Sequence, residues 1–171
     1  MNSLLLKLSS EEINDLLFRS LMAVHRFELG KIKRFGLGYM EILALQILRR
    51  HSPLRMRELV KGLGLPFSTT TRLFSRLEES GYVKRVYAQE DRRGVHIYIT
   101  EEGEDIVRRI EAHSFEVLTE NTRSFNNEMI QHIVETARQM ETILAVESTI
   151  LPEEELHDND HTKKSKKEAR L

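Results

Sequence analysis

The 171-residue sequence contains no cysteine. It can therefore form no disulfide, no thiolate metal site and no cysteine-based redox sensor, and this absence is compatible with a cytoplasmic chain. Apolar runs are short as well. The leucine run at residues 4–6 is too short for a secretion signal or a membrane span. We therefore expect a cytoplasmic chain that makes no membrane contact.

Catalytic motifs are also missing from the sequence. It has no nucleophile elbow, no phosphate-binding loop, no HExxH pattern and no cysteine nucleophile. The carboxylates of the predicted C-terminal helices are spread around solvated helix faces. The sequence predicts a binding protein that is not an enzyme and needs no cofactor.

The charge is small in sum but uneven along the chain. The formal net charge is −1, yet residues 44–100 carry eleven basic and five acidic side chains, whereas residues 101–162 carry four and sixteen. A basic segment of this kind is typical of nucleic-acid binding. The alternative is that Lys and Arg only solvate surface helices, but this gives no reason for the segregation.

The N-terminal part predicts two amphipathic helices. Ser9 and Glu12 have the spacing of a capping box at the start of the first helix. Its apolar repeat fades in the glycine-containing stretch at residues 30–38. The second helix is predicted over residues 39–51, because Pro53 stops it.

The middle of the chain predicts a helix-turn-helix followed by a hairpin. A short helix at about residues 57–63 and a helix over residues 67–80 are joined by a tight turn that contains Gly64. The second of these helices is expected to end at Gly81, which suits a left-handed cap. Strands are expected over residues 82–88 and 95–99, with a polar connection between them. Together these elements predict a winged helix-turn-helix.

Hydroxyl and guanidinium groups are concentrated at the start of the predicted helix over residues 67–80. If Leu73, Phe74 and Leu77 face the core, these polar groups face outward, where they can contact phosphates and base edges of double-stranded DNA. Ordinary helix capping is the alternative, but a cap needs only one hydroxyl group. The predicted DNA-contacting residues of this helix are Ser68, Thr69, Thr70, Thr71, Arg72 and Arg76.

The tip of the predicted hairpin adds three charged candidates. Asp91, Arg92 and Arg93 lie between the two strands. The alternative for Asp91 and Arg93 is a surface salt bridge of little energetic value. Arg92 contacts either phosphate or only water.

These segments resemble the MarR family of bacterial and archaeal transcription regulators. Residues 71–77 and 81–85 are similar to the family's recognition helix and its exit. The second match is to the family's wing signature and the start of the following helix, and its residues are Asp91, Arg93, Ile99, Thr100 and Gly103. The resemblance covers about residues 10–148 in element order, with the specific motifs in residues 54–103.

The resemblance implies a homodimeric regulator, more often a repressor, whose two winged lobes straddle a palindromic operator. It places the recognition helix at the major groove, inserts Arg93 into the minor groove and assigns Asp91 to orient that arginine. As part of this hypothesis we expect a small-molecule effector to bind between the dimer helices and the winged lobe and to release the DNA. Candidate pocket residues, each of which has an ordinary core or surface role as its alternative, are Phe18, Met22, His25, Met40, Leu43 and His113.

The predicted fold is mainly α with a small β-wing, and its length suits one domain with appendages. We predict an N-terminal dimerisation helix region at residues 1–36 and a winged helix-turn-helix DNA-binding domain at residues 37–100. C-terminal dimerisation helices are predicted at residues 101–152, and the last of them is a single helix that follows Asn126 and Asn127 and ends before Pro152. A charged disordered tail is predicted at residues 153–171.

Two other functions stay open from the sequence alone. One is a winged-helix module that serves a protein assembly or coats DNA without sequence preference. The other is a metal-responsive regulator, since His157 and His161 flank oxygen donors in the tail. A flexible polar tail explains this pattern better, and we predict no metal site.

Overall fold

The computed structural model describes residues 7–87 and 95–144, whose backbone forms seven helices and three strands. The elements in chain order are α1 (Ser10–Phe35), α2 (Tyr39–His51), β1 (Leu54–Arg55), α3 (Met56–Leu63), α4 (Phe67–Glu79), β2 (Val83–Tyr87), β3 (Val95–Ile99), α5 (Glu101–Asn121), α6 (Asn127–Arg138) and α7 (Met140–Ile143). The predicted fold class, mainly α with a small antiparallel wing, is confirmed. None of the helices in these residues is both long and apolar enough to cross a membrane.

The first of two compact units ends at Ile42, and its main element α1 begins at the predicted capping box. The Ser9 hydroxyl accepts a hydrogen bond from the Glu12 N–H (3.2 Å), and the Ser9 N–H donates to Glu12 Oε2 (2.7 Å). That second bond is the main reason why the pKa of the Glu12 carboxyl is lowered. The helix ends at Gly36, whose left-handed backbone (φ 69°) suits glycine. This end lies within the predicted glycine-containing stretch.

The second unit begins at Leu43 and contains the helix-turn-helix. Gly64 (φ 63°) ends α3, and Pro66 precedes α4. At its C-terminus α4 ends before Gly81 (φ 79°), the position predicted to leave the helix in a left-handed conformation. The predicted pair of helices and the tight turn between them are therefore confirmed.

The wing is a three-stranded antiparallel sheet in the order β1-β3-β2. Val83 lies opposite Ile99, and Tyr87 lies opposite Val95, which confirms the predicted hairpin strands. Strand β1, in which Leu54 pairs with Ile97, was not predicted from the sequence. Two residues after a proline carry no detectable alternation, so β1 exists only because β3 supplies its hydrogen-bonding partner.

One hydrophobic core connects the wing to the helices of this unit. Fully buried side chains come from α2, β1, α3, α4, β3 and α5, namely Leu48, Leu54, Leu59, Phe74, Ile97 and Ile110. Because α4 contributes Phe74 to this core, its opposite face has a fixed orientation relative to the sheet.

The C-terminal helices differ from the prediction in one respect. A single last helix was expected after Asn126, but α6 ends at Arg138 and α7 starts at Met140. Gln139 interrupts the helix, and its N–H is shared between the carbonyls of Glu135 and Thr136. Neither glycine nor proline marks this break. The predicted end of this region before Pro152 and the predicted tail lie outside the described residues.

Candidate nucleic-acid interface

The two faces of α4 differ sharply in burial. Leu73, Phe74 and Leu77 face the core, and four of the six predicted DNA-contacting residues lie on the solvent side. These exposed residues, which we call the reading face, are Ser68, Thr69, Arg72 and Arg76.

Thr70 is a correction to the predicted set. Its side chain is 0% exposed, and its hydroxyl donates to the carbonyl of Pro66 (3.1 Å). It lies three residues before Leu73 and four before Phe74, so helical periodicity places it on the core side. The prediction that all four consecutive hydroxyls point outward is therefore wrong at Thr70.

Thr71 occupies the border between the two faces. It is half-buried, and its hydroxyl donates to the carbonyl of Phe67 (2.9 Å). The carbonyl of Thr71 accepts a bond from the Ser75 hydroxyl (3.0 Å). These local bonds hold the first turns of α4 in place, and a DNA contact by Thr71 stays a prediction.

The contrast between Thr69 and Thr70 gives a paired test. Thr70→Val replaces a buried, hydrogen-bonded hydroxyl with a methyl group, so we expect the free energy of unfolding to fall by about 1 kcal/mol. Thr69→Val changes an exposed side chain and should leave that free energy within about 0.5 kcal/mol of wild type. Chemical denaturation of both variants measures the difference. Equal destabilisation by the two substitutions would contradict the assigned faces.

Arg85 was not among the predicted functional residues, yet it connects the wing to α4. Its Nη2 donates to the Ser75 hydroxyl (2.9 Å) and to the Thr71 carbonyl (3.4 Å). Its Nε lies 3.3 Å from Glu78 Oε2, and its backbone N–H donates to Glu78 Oε1 (3.3 Å). The guanidinium of Arg85 thus fixes β2 against α4. Sequence pattern alone could not separate this internal arginine from those on the reading face.

Other cations of the basic segment lie on the wing. Lys84 on β2 is exposed, and its Nζ lies 5.8 Å from the centre of the Tyr98 ring. Arg55 precedes α3, and its Nε donates to His96 Nε2 (3.4 Å), which ties β1 to β3. Lys84 therefore presents its charge at the surface, while Arg55 is partly engaged within the sheet.

The predicted residues of the wing tip, Asp91, Arg92 and Arg93, lie outside the described residues. The register of β2 and β3 ends with Tyr87 opposite Val95. The contacts assigned to these three side chains by resemblance therefore stay predictions.

The predicted effector-pocket residues are not core side chains. Two of them are exposed, Phe18 and His25. Four are half-buried, namely Met22, Met40, Leu43 and His113. Their shared role in binding a small molecule stays a prediction. Within residues 7–87 and 95–144, no three His, Asp or Glu side chains are grouped to hold a metal ion, and His157 and His161 lie outside these ranges.

A helix-turn-helix followed by a hairpin, with a third short strand completing the sheet, defines a winged helix-turn-helix protein. In proteins of this class, the second helix of the helix-turn-helix and the adjacent wing are the parts that contact DNA.

Comparison with known proteins identifies the family. A model of the MarR family matches residues 35–94. The chain is 30% identical over 108 residues to the uncharacterized HTH-type transcriptional regulator YfiV of Bacillus subtilis, a match that covers 63% of this chain and 68% of that protein. It is 31% identical over 97 residues to the HTH-type transcriptional regulator MgrA of Staphylococcus aureus, covering 56% of this chain and 66% of that protein.

A solved structure agrees with these matches. The structure of a MarR family protein from Bacillus stearothermophilus superposes with a TM-score of 0.72 and 25% sequence identity, over 85% of this chain and 99% of that one. The chain therefore belongs to the MarR family and is a DNA-binding transcription regulator.

Proposed function

We propose that the protein is a sequence-specific repressor that binds a palindromic operator as a homodimer and is released by a small-molecule effector. The observation that carries this proposal is the reading face. Arg72 and Arg76 are exposed on the same side of α4 as the hydroxyls of Ser68 and Thr69. The opposite face of this helix packs into the core.

The chemistry of the reading face suits the major groove. Arginine binds guanine O6 and N7 with two parallel hydrogen bonds, and serine or threonine hydroxyls contact several base edges or phosphates. Residues near the start of a recognition helix reach base edges most directly. Thr69 and Arg72 lie in the first two turns of α4, so they are the main candidates for reading sequence.

Exposed apolar side chains support the homodimer. On α1 the side chains of Leu16, Leu21 and Val24 are exposed, with Leu21 at 65%. In the second unit Phe115 on α5 is 73% exposed. Exposed apolar side chains of this kind in a regulator are typical of a subunit interface. The same unit has a groove along α6 with apolar lining residues Met129, Ile133, Ala137 and Met140.

A homodimer also gives the effector a mechanism. Two reading faces fit a palindrome only at one spacing, so a molecule that binds better to a different spacing lowers operator affinity. Among the predicted pocket residues, we expect such a molecule to contact those on α1, such as Phe18 and Met22.

Selection of genomic DNA tests the proposal. The purified full chain is mixed with genomic fragments and excess nonspecific DNA, and the retained fragments are sequenced. We expect a palindrome whose half-sites are about one helical turn apart. Sedimentation should give twice the chain mass in the absence of DNA. Uniform recovery of fragments would contradict operator specificity and favour a module that coats DNA or binds protein.

Arg93→Ala tests the wing. Loss of an arginine from the minor groove should weaken operator binding about tenfold while the dimer stays intact. Arg108→Ala is the matched control, because Arg108 is a surface arginine on α5 that pairs with Glu104 and Asp105. Titration of labelled operator measures both affinities. Unchanged affinity of the Arg93 variant would remove that side chain from the mechanism.

A further inference from the structure

Phe67 is an apolar exception at the start of the reading helix. It is the first residue of α4, and its side chain is 62% exposed, whereas Phe74 on the same helix is 0% exposed. The backbone at Phe67 is well held, since its carbonyl accepts the Thr71 hydroxyl (2.9 Å). The ring is therefore presented to solvent at a fixed point of the helix.

Local stability gives no reason for a phenyl ring at this position. The N-cap position belongs to Pro66, and a ring that stays 62% exposed gains little stability from burial. The following residues, Ser68 and Thr69, are exposed and polar. The ring of Phe67 thus lies directly before two exposed polar side chains that are proposed to contact DNA.

Base edges in the major groove offer one apolar group, the C5-methyl of thymine, and phenylalanine is among the side chains that contact it. We propose that Phe67 packs against a thymine methyl group in each half-site and so selects thymine at one operator position. This inference rests on the function proposed above. The hydroxyls and guanidinium groups read hydrogen-bonding edges, and Phe67 reads the methyl group that they cannot bond.

Uracil substitution tests this contact, because uracil in place of thymine removes the methyl group and keeps the base-pairing edge. Each thymine of the selected operator is replaced in turn, symmetrically in both half-sites. At one position we expect wild-type affinity to fall about fourfold per half-site, because each half-site loses one buried methyl group. The two half-sites together should lower the affinity about 15-fold.

The variant Phe67→Ala completes a double-mutant cycle. It should bind the thymine and uracil operators equally and match wild type on the uracil operator. Tyr39→Ala is the control, because Tyr39 also begins a helix and is 50% exposed. That variant should keep the full preference for thymine. Circular dichroism during heating confirms that both variants fold.

The outcomes separate this inference from the proposed function. If wild type binds its operator specifically but no thymine position responds to uracil, or if Phe67→Ala keeps the preference, the role of Phe67 is overturned and the regulator stands. If no operator is selected at all, the proposed function fails and this inference fails with it.

Discussion

Replacing Arg72 with alanine is expected to weaken operator binding at least 30-fold. Arg72 is exposed in the second turn of α4, where a guanidinium can bind a guanine with two hydrogen bonds. Loss of such a contact costs about 1–3 kcal/mol per half-site, and a homodimer loses it twice. Since about 1.4 kcal/mol corresponds to a factor of ten in affinity, the combined effect is large.

Arg72→Lys separates base reading from charge. Lysine keeps the positive charge but cannot form the planar two-bond contact. The lysine variant should therefore bind random DNA like wild type and lose most of its preference for the operator. Competition titrations against operator and scrambled duplexes measure the two affinities. Full operator preference in both variants would place Arg72 outside the base-reading set.

Replacing Gly103 with alanine is expected to lower the free energy of unfolding by about 3 kcal/mol or more. A Cβ at Gly103 would lie 2.1 Å from the carbonyl oxygen of Tyr82 and 2.8 Å from Ile99 Cγ1. That carbonyl also accepts the Thr100 N–H (3.1 Å), so it cannot retreat without breaking a hydrogen bond. The backbone after α4 and the start of α5 would have to separate.

The junction around Gly103 matters because it joins the reading helix, the wing and α5. The Thr100 hydroxyl donates to the Gly81 carbonyl (2.7 Å) and accepts a hydrogen bond from the Gly103 N–H (3.0 Å).

Thermal unfolding of the Gly103→Ala variant should show a midpoint lowered by roughly 6–12 °C. Gly62→Ala is the control, since its Cβ would meet only Ile47 Cδ1 at 3.8 Å. A helical glycine whose added Cβ makes only an ordinary van der Waals contact gains stability on this change. Similar midpoints for both variants would contradict the close approach at Gly103.

Strong local signals made most of the fold predictable. The capping box of Ser9 and Glu12, the stop before Pro53 and the left-handed Gly81 each act within a few residues, and the structure has all three. The apolar alternation of β3 is similarly local. By contrast, β1 depends on pairing between Leu54 and Ile97, which no short window of sequence contains.

The reading face was predictable in composition but not in every side chain. Four adjacent hydroxyls cannot all lie on one side of a helix, and only the position of the core decides that Thr70 is buried while Thr69 is exposed. The arginines present the same difficulty. Arg72 and Arg85 have the same chemistry, but Arg85 is held by Ser75 and Glu78 because β2 folds back against α4.

The specificity ratio of the full chain tests the central claim most directly. The affinity for the selected operator is compared with that for a scrambled duplex of the same length, at several salt concentrations. If α4 reads sequence, the operator should be preferred about a thousandfold or more near physiological salt, and Arg72→Ala should reduce this ratio. A ratio near one at every salt concentration would contradict sequence reading by α4 and leave only electrostatic attraction to the DNA backbone.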